Sequence, residues 1–348
     1  MRVKGGASLN RQAGFSMVEL MVALVLGLFL TTAILQTFIG AKDTYEFQNE
    51  LSRMQENGRF AMTFLSRDIR AADFWGCMGD GDLDTNIVDP VDSLIVGAGS
   101  ASDFAAGLLG FNNVPVASTG YDPVFGGVNN RPDAIVLQGG RGEGVAVAAS
   151  TGASLSLAST TGIKVGDILL ASNCTDGVMF QVSSVDSSTQ LAHEVNGGSV
   201  DLDPGNNPAS FPEGSVFNAS ASVFQAEPLR YWIRTELSSG EPALIRGRGL
   251  QTDPWSGGDA LVEGVENIQF LFGEDINDDG TADYFVDADN VVNMNRVVSI
   301  QVHLVVRSLR DNMVDPAPIN YYGGPKSAND GRMRKVFVST IALRNRLD

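Results

Sequence analysis

An α+β fold is what this sequence predicts, and three observations predict it. From Leu20 to Ala41 no residue is charged. Beyond that run, apolar or small residues recur at Phe47, Leu51, Met54, Gly58, Ala61 and Leu65, in alternating steps of four and three, the spacing of an amphipathic helix. Past Trp75 the chain is rich in Gly, Ser and Asn and breaks into short runs separated by turn residues, the pattern of antiparallel strands. One long helix over residues 15–72 is expected, its first half apolar all round and its second half packed on a sheet.

The uncharged run would span roughly 33 Å as a helix, close to the ~30 Å hydrocarbon core of a bilayer. Before Gly14 stand Arg2, Lys4 and Arg11 and no acid, so the positive-inside tendency places this leader in the cytoplasm and the rest across the membrane. Glu19 stands at the mouth of the run, where an unpaired carboxylate is costly and therefore a functional expectation. Farther along, Glu50, Arg53, Arg67 and Arg70 are expected on the wet side of the helix or against other subunits. Gly27 and Gly40 each weaken the helix by about 1 kcal/mol relative to Ala.

The order Gly14-Phe15-Ser16-Met17-Val18-Glu19 resembles the signal of type IV prepilins and type II secretion pseudopilins. The resemblance implies cleavage after Gly14 by a prepilin peptidase, methylation of the new N-terminus at Phe15, and pairing of Glu19 with the N-terminal amine of a neighbouring subunit. An ordinary secretory signal peptide has a shorter apolar region with its cleavage site after it. A plain single-span anchor explains the length but not the order of Gly14, Phe15 and Glu19.

The middle of the chain offers strand candidates at Asp133–Gln138, Val145–Ala148, Ser154–Leu157, Asp167–Ala171 and Met179–Val185, which suit a small antiparallel sheet or barrel. His193 has no partner pattern there and is expected at the surface or half-buried. In the last third, Leu229–Thr235 alternates and can pair with Ala243–Arg246 across Ser238-Ser239-Gly240. Residues Ala260–Asn267 read as a short helix or connector, and Ile268–Phe272 as a strand. Val298, Ile300, Val302, Leu304 and Val306 share one strand face, and Val336–Leu343 is the closing strand.

Three further stretches join the N-terminal signal: Arg67-Asp68-Ile69-Arg70-Ala71-Ala72, Leu261 to Phe270, and Ala342-Leu343-Arg344-Asn345. Together they resemble the PilW-type minor pilins of type IV pili, over roughly residues 1–80 and 225–348. The implied fold is type IV pilin-like: a leader 1–14, a transmembrane helix 15–41, an amphipathic half 42–75, a β-rich insertion 76–226 and a C-terminal pilin-like sheet 227–348. The implied role is a minor pilin that primes pilus assembly and sits in the tip complex, in the service of twitching motility. Its partners would be other minor pilins, a tip protein, the prepilin peptidase, the inner-membrane assembly platform and membrane lipid. It would be a single-pass protein of the inner membrane with a periplasmic domain. The J-type pseudopilin of type II secretion is the alternative; the long middle segment favours the pilus.

Formal charge is −17 over 348 residues. An acidic chain of this kind is a poor partner for nucleic acid. Cys77 and Cys174 would face an oxidising compartment, and their even number favours one disulfide over two free buried thiols. Asp275, Asn277, Asp279, Thr281 and Asp283, with Gly280 at the sixth position, match the first part of a calcium loop, but Val286 stands where a bidentate Glu is expected. The readings are a calcium-binding β-loop or a solvated acidic hairpin tip. No cofactor is required. A membrane-anchored periplasmic enzyme is the third class; with two histidines and no G-x-S-x-G, H-E-x-x-H or P-loop, catalytic residues are expected to be absent.

Overall fold

A computed structural model describes residues 14–76, 92–93, 107–121, 130–174, 176–194, 206, 217–226, 228–249 and 255–347. The chain divides into two compact units, Met1–Ser52 and Arg53–Asp348. One helix, α1, runs Met17–Arg70, two residues short of the expected span at each end. In the first unit its apolar residues are exposed, from Met17 at 82% at its start to Ile39 at 55%, as is Phe15 just before it. Phe47 is exposed as well, so the amphipathic stripe begins later than its spacing implied. Glu50, expected to stay wet, is buried, whereas Arg53, Arg67 and Arg70 are exposed.

Within the second unit the stripe is real. Met54, Gly58, Ala61, Leu65 and Ile69 are buried on one side of α1. Gly58 is there because a side chain does not fit: a Cβ would lie 2.2 Å from the ring of Phe337 on the closing strand. Asn57 Nδ2 donates to the Glu263 carbonyl at 3.1 Å, tying the same turn to the sheet region.

Three larger sheets make up the second unit. In the first, strands Leu108–Phe111, Ala134–Leu137, Leu229–Thr235, Pro242–Arg248 and Asp259–Glu263 lie side by side, each pair antiparallel. The expected boundary at 226/227 therefore falls inside no gap in the sheet, since strands from both sides of it pair here. Residues Ala260–Asn267, read as a short helix or connector, belong to two strands, Asp259–Glu263 and Val265–Glu274, meeting at Gly264 (φ 81°). The apolar run there is too short for its period to distinguish the two. The alternation of 229–235 is likewise overridden. Leu229 to Ile233 are all buried, because one face meets α1 and the other packs on Val136, Ile245 and Trp255.

A second sheet orders Tyr284–Val286, Val265–Glu274, Val297–Arg307 and Arg334–Ala342, all antiparallel. Val298, Ile300, Val302, Leu304 and Val306 are buried along its long central strand, as expected. The third sheet, of eight strands, is built from the middle of the chain, with Leu155, Phe180, Leu191 and Phe217 among its core. His193 is fully buried rather than superficial, its ring 5.0 Å from that of Phe180.

Candidate functional site

The N-terminal end of α1 is built by its first four residues. Ser16 stands just before the helix; its Oγ accepts the Glu19 N–H at 3.2 Å, and Glu19 Oε2 accepts the Ser16 N–H at 3.0 Å. This reciprocal pair is a capping box, which satisfies N–H groups that a helix start otherwise leaves open. Gly14, Phe15 and Glu19 are all exposed. Ser16 is the residue that attention to Glu19's charge passes over, although the Ser-x-x-Glu spacing signals it. The helix that follows is long and apolar enough to cross a membrane by length and composition.

The stretches that carried the resemblance meet at the other end of α1. Asp68 Oδ2 accepts from Tyr231 Oη at 2.5 Å and from Arg246 at 2.7 Å, while Arg67 Nε reaches Oδ1 at 3.0 Å. Burial alone would raise the Asp68 carboxyl; the hydrogen bonds from Arg67 and Tyr231 and the charge of Arg246 outweigh it and hold it below its ordinary value. Asn345 Nδ2 donates to the Ala72 carbonyl at 2.8 Å, and Arg346 pairs with Asp73. Those two bonds latch the closing Leu343-Arg344-Asn345 segment onto the end of the helix.

The acidic loop 275–283 joins strands Val265–Glu274 and Tyr284–Val286 in a hairpin. Asp275 Oδ2 accepts from the Gly280 N–H at 2.6 Å, and Oδ1 from those of Asn277 and Asp279. Burial pushes this carboxyl up, but the backbone donors prevail and lower it. Asp279 Oδ1 takes the Thr281 N–H, and Asp283 Oδ2 that of Ile276. As placed, these side-chain oxygens accept the backbone N–H groups of their own turn. No group of three or more His, Cys, Asp or Glu that could hold a metal is found among the described residues. Cys77 lies outside the described residues, as does the leader to residue 13. Cys174 sits in the turn between strands 168–172 and 177–181 with φ 73°.

The result is an α+β arrangement: an N-terminal helix that is capped at its start, exposed and apolar over its first half, and fastened at its far end to antiparallel sheets. Residues 9–35 match the prokaryotic N-terminal methylation motif, and residues 230–345, about a third of the chain, match the family of type IV pilus-assembly protein W. Both matches bear out the resemblance to PilW-type type IV pilins, and they fit a membrane-anchored pilin. The type IV-like pilin TTHA1219 from Thermus thermophilus is similar over 36% of this chain and 70% of its own, at 15% identity. Its TM-score of 0.22 is too low to carry any argument. No curated protein matches the chain.

Proposed function

We propose that this chain is a minor pilin: a non-enzymatic subunit of the inner membrane, processed after Gly14 and methylated at Phe15, that primes a type IV pilus and stays in its tip complex. The observation that carries the reading is the order Gly14-Phe15-Ser16-Met17-Val18-Glu19 opening the exposed apolar half of α1. Such a surface demands lipid or other helices as its cover. In the waiting subunit the Glu19 carboxylate is occupied by its own helix start. On assembly it exchanges the Ser16 N–H for the charged amine of a neighbouring pilin, a stronger partner for a carboxylate. Its partners are other minor pilins, a tip protein and the assembly platform.

Intact mass and N-terminal sequencing of the protein from host membranes test this. The expected chain begins at methylated Phe15; a chain beginning at Met1, or beyond Ala33, overturns the reading. Loss of surface pili on deletion, with secretion intact, separates the pilus from a type II secretion role. Calcium at the 275–283 loop is a separate proposal, since Asp275 would have to exchange backbone donors for the ion. A calorimetric titration with millimolar-range calcium should give heat that Asp279→Ala abolishes; equal heat in both chains sinks it.

A further inference from the structure

Acids outnumber bases 41 to 24 in this chain, yet one place in the second unit reverses the balance. Near the last turn of α1, Arg67 and Arg246 share the Asp68 carboxylate. Arg248 lies two residues beyond Arg246 on the same strand face. Its register partner is Leu229, which is in turn in register with Leu137. The Leu137 carbonyl accepts from Arg141 Nη2 at 3.2 Å. Neighbouring strands lie ~4.8 Å apart, so Arg141 and Arg248 flank one end of the five-stranded sheet. Arg141 also senses the charges of Asp68, Arg246 and Arg248.

Two guanidinium groups therefore hold one carboxylate whose oxygens are both engaged, and two more stand nearby at the end of the sheet. Arg141 and Arg248 have no ion pair among the described residues. The Nε atoms of Arg141 and Arg246 are buried with no acceptor. Glu143, on the strand of Arg141, is exposed and pairs with none of the four. Among the described residues, what the cluster lacks is a second carboxylate, which the planar guanidinium fork matches with two parallel hydrogen bonds.

We propose that Arg67, Arg141, Arg246 and Arg248 form a docking site for an acidic segment of a neighbouring subunit. The proposal rests on the pilin reading and gives that subunit's contact a chemistry. A short acidic segment fits better than a long polyanion, because the acidic remainder of the chain repels charge that extends beyond the cluster.

The probe is fluorescein-labelled hexaglutamate, read by anisotropy against the full chain in detergent micelles. Binding is expected at low salt and its loss in about 1 M salt, where screening shortens to ~3 Å. The Arg141→Gln/Arg248→Gln variant keeps the Asp68 contacts while losing the Arg141 bond to the Leu137 carbonyl; it should bind at least about tenfold more weakly. Should the double variant misfold, Arg248→Gln alone, at an exposed position, supplies the comparison. Absence of binding at low salt, equal binding by the variant, or tighter competition by inorganic polyphosphate overturns the proposal. A chain processed at Phe15 that ignores the peptide sinks only the docking site; an unprocessed chain sinks the pilin reading on which it rests.

Discussion

Asp133 shows how much one buried residue can decide. It is 4% exposed, and its two oxygens accept the N–H groups of Asn113 and Phe270, each at 2.9 Å. Its own N–H donates to the Ile268 carbonyl, so the side chain and backbone together staple two sheets. Burial pushes its carboxyl up to about 7, with Asp287 and Asp289 adding to the rise. A raised folded pKa means that the neutral form stabilises the fold fully below ~4, the unfolded value, and that this contribution is lost as pH rises through about 7. Urea midpoints at pH 5 and 8 should therefore fall by the equivalent of roughly 2–4 kcal/mol, and Asp133→Asn should remove most of that difference. Asp68 and Asp330 are held low and titrate below this window, so they do not mask it. An unaltered pH dependence in the variant would show that Asp133 is not the group. Nothing local to Asp133 in the sequence announces this, because its partners lie 20 and 137 residues away. The Ser16–Glu19 box is the opposite case, legible from four consecutive residues.

At the scale of elements, three neighbouring strands bring charges into contact beneath the surface. Arg307 and Arg334 stand directly opposite in register, an arrangement that repels. Glu266, fully buried on strand 265–274, resolves it: its Oε1 reaches Arg307 at 3.3 Å, and Arg334 grips both oxygens at 2.6 and 3.0 Å. Glu241 and Asp330 extend the network to Arg307, Arg332 and Arg334. The hydrogen bonds from Arg334 hold the Asp330 carboxyl at about 2. Removing the central carboxylate takes away the one anion that Arg307 and Arg334 share and leaves each with a single acidic partner, so Glu266→Gln should cost about 3 kcal/mol in urea unfolding. A loss under about 1 kcal/mol would mean the pair is effectively solvated, like a surface bridge. This network explains why Glu266 stands amid apolar residues in the stretch Ala260–Asn267, which the pattern alone read as a short helix or connector.

For the molecule as a whole, the cysteines offer a test of both compartment and topology. Trp75 and Gly76 precede Cys77, and the Trp75 carbonyl accepts from Ser172 Oγ at 2.9 Å, two residues before Cys174. That proximity supports a Cys77–Cys174 bridge closing a loop of about a hundred residues, worth up to ~4–5 kcal/mol in the chain-entropy model. Alkylation of the denatured, unreduced protein should label neither thiol, and reduction should lower the thermal midpoint; two alkylated cysteines before reduction would exclude the bridge. Residues 76–226 contribute one whole sheet and two strands of another among the described residues, so the core of the second unit draws on both sides of residue 226.

The sequence by itself determined the features that depend on neighbours along the chain: the N-terminal signal, an uncharged run long enough for a bilayer, the stripe from Met54 to Leu65, and strands such as 154–157 and 297–307. Their physics is periodicity and length, which a linear reading contains. Only the tertiary structure decided what depends on distant partners. It sank Glu50 and His193, made strands of Ala260–Asn267, gave Gly58 its Phe337, and set Arg307 against Arg334 with Glu266 between them. Burial and charge pairing are properties of the surroundings, and folding supplies those surroundings from segments as much as 273 residues apart, as at Asn345 and Ala72.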